Sequence, residues 1–429
     1  MKKLALLGGP PVIEGLLPAY CSVGPEEVEA VADVARSGCL SSFYGSWGDQ
    51  FLGGAKVKAF ENAWAEKFNV KHVISVNSAT SGLIAAMGAV GLGPGDEVIV
   101  PPFTMSATVV SPLFYGAIPV FADIEPDTFC LDVKSVERAL SPRTKAICAV
   151  NLFGHPAPLH ELRRLADGRG TALIEDNAQG PLAMENGRYA GTIGHLGVFS
   201  LNYHKHIHTG EGGMCVTEDD RLAVRLQLIR NHGENVVEPL GIEDITNLIG
   251  FNFRMTELSA AVGLSQLRKI DRHVPRREKL AETLSRGIAG LPGLTPPKVR
   301  DGCRHVYYVW AFRFDEHTVG CSREVFIRAL NAEGFPCWGG YLRPLYFLPV
   351  FQKRIAVGSK GFPFNQSEVS YEKGLCPVAE RLWEKELICF ETCAYDIDDV
   401  RAAKLVEAVR KVYSHRSVLA EHAPSASSS

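Results

Sequence analysis

A chain of 429 residues is about three times the usual single-domain length, so it can bury two domains, or one large domain with a satellite. Hydrophobic residues at 46% and charged ones at 22% exclude disorder as the main state, and the longest uncharged stretch, 98–122, carries four prolines and Gly116, which excludes a bilayer span. Lys plus Arg total 45 against 48 Asp plus Glu, with no long run of one sign, so there is no electrostatic footprint for nucleic acid.

In chain order, Leu4 to Leu7 after two lysines mimic a signal peptide, but Gly8-Gly9-Pro10-Pro11 cut the apolar core short, and a cytoplasmic location is expected. Residues 1–25 are read as an N-terminal arm. From 70 to 220, apolar β-rich runs recur at 72–78, 97–101, 118–124, 146–153, 172–176, 197–201 and 213–217, the pattern of strands buried on both faces. Helix-compatible stretches at 80–90, 104–115 and 159–167 separate several of them, so residues 26–275 are predicted to form a large α/β domain with a mostly parallel seven-stranded sheet. Gly93-Pro94-Gly95-Asp96 marks the turn into one strand, and its spacing does not match a dinucleotide fingerprint. Helical character over 256–270 continues over 276–288 and predicts a long helical connector, followed by a strand at 307–314 and helices at 322–333 and 396–412, giving a smaller C-terminal α+β domain over 276–413. Residues 414–429, ending in small polar residues, are predicted to be a disordered tail.

The eleven cysteines are an odd number without a Cys-x-x-Cys pair, and read as reduced, mostly buried thiols rather than metal ligands. His204, His206 and His208 alternate, but no carboxylate or thiol stands at a ligand-like spacing, so no metal is expected. Three other features carry chemistry. Asp176 ends a strand at the rim where α/β folds bind ligands, either as a helix cap or as partner to a cationic ring nitrogen or a metal, with Gln179 three residues on. Lys205 precedes Thr209-Gly210-Glu211-Gly212-Gly213 and is either a surface lysine near a turn or an amine that forms a Schiff base. Residues 77–82, with the hydroxyls of Thr80 and Ser81, open a helix as an ordinary N-cap or as a phosphate cradle. Taken together, a cradle, an acidic partner and a lysine are the parts a pyridoxal phosphate site needs.

With these residues the sequence resembles the DegT/DnrJ/StrS family of fold-type-I sugar aminotransferases over roughly residues 10–410. The matching stretches are Val76-Asn77-Ser78-Ala79-Thr80-Ser81-Gly82-Leu83, residues 93–101, Ile174-Glu175-Asp176-Asn177-Ala178-Gln179, Phe199-Ser200 with Lys205 five beyond the serine, residues 209–213, and Gly250-Phe251-Asn252-Phe253-Arg254-Met255-Thr256-Glu257. The resemblance implies a homodimer with shared active sites in which Lys205 carries pyridoxal phosphate and moves a proton. It implies that Asp176 pairs with the pyridinium, that Gln179 lies near the ring hydroxyl, and that Thr80, Ser81 and Ser200 hold the phosphate. Asn252 reaches that phosphate from the other subunit, with Arg254 as a neighbour.

Two departures stand out: Met105 follows Pro101-Pro102-Phe103-Thr104 where the family commonly has an aromatic residue to stack on the ring, and Ala79 stands where glycine is usual. Either Met105 or Phe103 is expected against the ring. The segment 42–48 with Gly53-Gly54 is longer than in typical members and reads as a loop over the substrate or as a packed Ω-loop. The implied reaction moves an amino group from L-glutamate or L-glutamine to a nucleotide-linked keto-sugar or a cyclitol ketone. Its rivals are a dehydratase of the same fold, which replaces the lysine by histidine, and a regulatory protein that binds the cofactor without turnover.

Overall fold

The computed structural model describes residues 3–421. All seven runs predicted as strands form one sheet: β1 (His72–Val76), β2 (Glu97–Val100), β3 (Ile118–Phe121), β4 (Thr144–Val150), β5 (Ala172–Asp176), β6 (Leu196–Ser200) and β7 (Gly213–Thr217), in the order β1-β7-β6-β5-β4-β2-β3. Neighbours are parallel except where β7 takes part. The connection from β6 to β7 contains no helix to carry the chain back across the sheet, so β7 returns antiparallel.

Helices α1 (Pro25–Ser37), α2 (Ala55–Phe68), α3 (Ala79–Ala89), α4 (Ser106–Val110), α5 (Val133–Ala139), α6 (Leu159–Arg169), α7 (Asp220–Arg230) and α8 (Glu257–Ile288) accompany this sheet. Helix α3 has no charged residue and is buried from Ser81 to Ala89, so it lies inside the molecule, between the sheet and α7. A Cβ at Gly82 would stand 2.8 Å from Val198 Cγ1, and glycine there lets α3 approach β6. That approach fixes the start of α3 beside the ends of β5 and β6.

Three expectations change. The helix predicted over 104–115 stops at Val110 and continues as a tight 3-10 turn over Ser111–Tyr115, because Pro112 lacks an N–H and crowds the preceding turn. The long helical connector predicted over 256–288 forms as one helix, α8, which runs through Pro275, so the domain boundary expected at 275/276 falls inside a helix. Its burial changes partner along its length: Ile270 and Val274 join the core around the large sheet, and Leu280, Leu284 and Ile288 a second core. That second core packs under a four-stranded sheet (Leu294–Thr295, Val309–Phe314, Trp338–Gly339 and Leu387–Glu391) and helices Arg323–Ala332 and Asp399–Ser414. Leu4 and Ile13 of the arm are buried there too, and Glu333 accepts from the amides of Ala5 (2.9 Å) and Val12 (3.0 Å). Finally, regular structure extends past 413, since Arg416–Ala420 form a short helix that buries Leu419 completely. The rest of the predicted tail, 422–429, lies outside the described residues. No helix among the described residues is long and apolar enough to cross a membrane.

Candidate active site

A cavity of about 220 Å³ opens at the carboxyl ends of β4, β5 and β6, the edge where α/β sheets bind ligands. It brings together Thr80, Met105, Asp176, Gln179, Ser200 and Lys205, six of the eight residues singled out in the sequence. Tyr308 and Tyr341 from the C-terminal half close the far wall.

Lys205 is 9% exposed, and its Nζ lies 4.2 Å from the ring centroid of Tyr308. Burial lowers its amine pKa to about 8, against the opposing pull of Asp176, Cys393 and Glu391. A substantial neutral fraction near physiological pH suits an amine that attacks a carbonyl. This is not a surface lysine. Asp176 is buried as well, which pushes its carboxyl pKa up, while a hydrogen bond from Thr108 Oγ1 to Oδ2 (2.7 Å) and one from the Ala178 amide to Oδ1 (3.1 Å) favour the ionised form. The neighbouring Glu175 points elsewhere, accepting from the amides of Gly191 (2.5 Å), Ile193 (2.8 Å) and Gly194 (2.5 Å) in the interior. Gln179 is locked at both ends: its Oε1 accepts from the Phe153 amide (2.7 Å) and its Nε2 donates to Tyr341 Oη (3.0 Å).

At the other end of the cavity, Ser78 caps α3 by accepting from the Ser81 amide (3.1 Å), so the start of the helix faces the site beside Thr80 and Ser200. A Cβ at Gly213 would stand 2.8 Å from the Ala79 nitrogen, so glycine lets β7 begin against that helix start. Ser81 does not line the cavity. Its hydroxyl donates to Asn77 Oδ1 (2.6 Å) and lies 3.0 Å from Ser78 Oγ. Asn252 is also outside it, exposed, with Oδ1 accepting from Arg254 Nε (2.7 Å). Met105 lines the cavity and is 59% exposed, whereas Phe103 is buried edge-on against Tyr341, so Met105 holds the position from which a ring can be contacted.

The three alternating histidines separate. His204 lines the cavity, with its imidazole pKa lowered to about 4 by burial and by Lys205; His206 is buried with Nε2 on the Val306 carbonyl (2.9 Å); His208 Nδ1 accepts from the Gly210 amide (3.3 Å). In the segment 42–54, Phe43 and Phe51 are buried and Asn231 Nδ2 donates to the carbonyls of Tyr44 (2.8 Å) and Phe51 (3.1 Å), while Tyr44 and Trp47 are exposed. The segment is therefore anchored by packing and presents two aromatic side chains outward.

Sequence reasoning missed Thr108, Tyr308, Tyr341 and Glu391, whose carboxyl is pushed up by burial and lowered by Lys205. Nothing in the sequence separates Tyr308 from an ordinary core aromatic in a strand. Thr108 carried a weak signal, standing one helical turn after Thr104.

A buried amine of lowered pKa, a buried carboxylate at a strand end and a helix start, all facing one cavity, fit pyridoxal phosphate, and the fold and site define a fold-type-I aminotransferase dependent on that cofactor. Residues 23–387 match the model of the DegT/DnrJ/EryC1/StrS aminotransferase family, and the chain belongs to that family. It is 36% identical over 299 residues to the GDP-perosamine synthase of Caulobacter vibrioides, covering 70% of this chain and 79% of that one. It is 33% identical over 437 residues to the L-glutamine:2-deoxy-scyllo-inosose aminotransferase of Streptomyces kanamyceticus, covering 97% and 98%. Among solved structures, an aminotransferase from Psychrobacter cryohalolentis superposes with a TM-score of 0.81 at 27% identity, covering 94% of this chain and all of that one.

Proposed function

We propose that this enzyme transfers the amino group of L-glutamate or L-glutamine to the ketone carbon of a nucleotide-linked keto-sugar or a cyclitol. The observation that carries the reading is Lys205, buried in the cavity beside Asp176 with its amine pKa lowered. The relatives support the substrate class, one being named for a GDP-linked amino sugar and the other for amination of an inosose by L-glutamine.

Lys205 would hold the cofactor covalently, Asp176 would keep its ring nitrogen protonated, and Gln179 would stand near the ring hydroxyl. Thr80, Ser200 and the first amides of α3 would hold the phosphate, while Ser81, whose hydroxyl is already engaged, supports the shape of that turn. Pyridoxal phosphate, when bound, supplies an electron sink for the carbanion left as a proton departs. Lys205 Nζ accepts the α-proton of the amino donor and later delivers a proton to the carbon that was the acceptor's ketone. Tyr308, under the lysine head, limits where Nζ can swing. Tyr341 and Gln179 hold each other and so fix one wall of the cavity.

The enzyme acts as a cytoplasmic homodimer in this reading. Asn252, exposed and outside its own cavity, serves the second subunit's phosphate, and all eleven cysteines are free thiols, as a reducing compartment favours. The dehydratase alternative is not favoured, because lysine, and not His204 or His206, occupies the position beside Asp176.

The test is the visible absorption of the purified, cofactor-loaded protein, before and after L-glutamate or L-glutamine, in wild type and in Lys205→Ala. Loss of the yellow band on adding the donor, its return with a keto-sugar or inosose, and the absence of both changes in the variant are expected. A protein that stays colourless after cofactor addition would overturn the reading, as would a variant that still turns over.

A further inference from the structure

Among the described residues, the charged head of Lys205 has a single partner at contact distance. Its Nζ meets no carboxylate close enough for an ion pair and no hydrogen-bond acceptor; what it meets is the face of Tyr308, 4.2 Å from the ring centroid. An ammonium is a compact charge that holds water strongly, and here it is buried. The negative face of the ring replaces part of the hydration that the head gives up.

That face is held in place from several sides. Tyr308 is 6% exposed, its amide donates to the Phe153 carbonyl (2.7 Å), and its carbonyl accepts from Thr392 Oγ1 (3.3 Å). Val309, the next residue, pairs with Glu391 across the small sheet, and the imidazoles of His204 and His206 lie 6.1 and 6.3 Å from the ring, inclined to it by 37° and 45°. A ring so enclosed keeps its face toward the lysine. The titratable groups around the two side chains are Asp176 at the end of β5, His204 beside the lysine in the chain, Tyr341 on the same wall, and Glu391 and Cys393 at and beyond the end of their strand. Burial, the largest influence on the amine, disfavours its charge; Asp176 and Glu391 favour it without touching Nζ, and His204, with its pKa lowered to about 4, is neutral.

We propose that Tyr308 is a positioning residue for Lys205: its π face is the seat of the ammonium, which holds the head in one place and favours its protonated form. The seat stands without the aminotransferase reading, while its use in the reaction rests on that reading. Once Nζ has taken the α-proton of the amino donor it is a cation in a buried cavity. Resting on Tyr308, it keeps that proton until the carbon that was the acceptor's ketone receives it.

The test keeps the shape of the ring and drains its face. Tyr308→Phe is compared with proteins carrying mono-, di- and trifluorophenylalanine at position 308, whose fluorines withdraw electron density from the face stepwise at nearly constant size. In cofactor-free protein, the pH at which the Lys205 amine titrates is read from its rate of reaction with a small aldehyde. Phenylalanine presents a similar face, so Tyr308→Phe should titrate close to wild type. Each added fluorine weakens the hold on the charged form and should lower the titration pH, by about 0.5–1.5 pH units over the series, as the loss of a buried cation–π contact requires. A titration pH that stays constant along the series overturns the proposal, because packing alone does not respond to the charge of the face. A fall already complete in Tyr308→Phe overturns it as well, since the hydroxyl and its neighbour Glu391 would then set the charge of the amine. No step of the test requires amino transfer, so a failure of the aminotransferase reading shows separately, in the Lys205→Ala spectra.

Discussion

Thr108 offers the sharpest test of how the cavity is tuned, because it touches Asp176 and the sequence marks it only weakly, by its spacing from Thr104. Its hydroxyl donates at 2.7 Å to a carboxylate that burial is already pushing towards neutrality. Replacing it by valine keeps the shape and removes the donor, leaving Asp176 the Ala178 amide. A hydrogen bond to a charged group contributes about 1.5–3 kcal/mol, so the ionised form loses that much and the carboxyl pKa climbs by about 1–2 further units. If Asp176 holds the cofactor's ring nitrogen, the same energy is lost from binding, and Kd for pyridoxal phosphate rises by about 10- to 100-fold. The assay is a titration of cofactor-free Thr108→Val with pyridoxal phosphate, followed by the visible band, with Thr104→Val as control. Thr104 lies 3.3 Å from the Thr108 hydroxyl and makes no bond to Asp176, so its loss should change affinity little. An unchanged Kd in Thr108→Val would refute the argument that the bond sustains the charge of Asp176.

Glu175→Ala should be destabilised by about 3 kcal/mol or more in denaturant titration, because three interior amides lose their acceptor, each at a cost of about 1–3 kcal/mol. The rate at which cofactor-free protein captures a small aldehyde at Lys205 should rise with pH and level off above about 8, since the neutral amine accumulates as pH passes the lowered value; an inflection near 10.5 would show the amine to be solvated. Asn231→Ala should lose about 1–3 kcal/mol of stability, as the two bonds holding Tyr44 and Phe51 go, and proteolysis should then cut first between 42 and 54; unchanged cleavage there would show that Phe43 and Phe51 anchor the segment alone.

What could be read in the sequence was what depends on near neighbours. Lys205, Asp176 and the start of α3 each sit at the end of an apolar strand, and the strand itself announces where the chain leaves the sheet. Ser81 shows the limit of that logic: Ser78, Thr80 and Ser81 crowd the start of α3, and Ser81 is kept from the cavity because Ser78 takes the cap and the Ser81 hydroxyl is drawn to Asn77. Proline shows another limit. Pro112 ends α4 as expected of an imino acid, yet Pro275 stands inside the 32 residues of α8, where Val274 on one side and Leu280 on the other are held by two different cores. Local propensity loses there to tertiary packing. Tyr308 and Tyr341 were hidden because they reach the cavity only when the C-terminal half docks, through contacts such as the Tyr308 amide on the Phe153 carbonyl at 2.7 Å, and Glu391 because only that docking brings its charge near Lys205.

Three residues at that docking also hold strained backbone. Phe153 (φ 58°), Tyr307 (φ 49°) and Tyr341 (φ 48°) are in the left-handed region that side chains avoid, a conformation that costs on the order of 1–3 kcal/mol each. Each is held by bonds that also build the site. The amide of Phe153 orients Gln179, its carbonyl receives the amide of Tyr308, the Tyr307 carbonyl accepts from Thr392 beside Cys393, and the Tyr341 hydroxyl accepts from Gln179. Glycine at any of the three would relieve the backbone and lose the ring. The aromatic rings pack edge-on, Phe153 against Tyr341 at 4.8 Å, and carry the strain because their burial offsets it. The strain therefore falls where two distant stretches of chain must meet in one register, and it fixes the wall opposite Asp176 to the same geometry that holds Lys205.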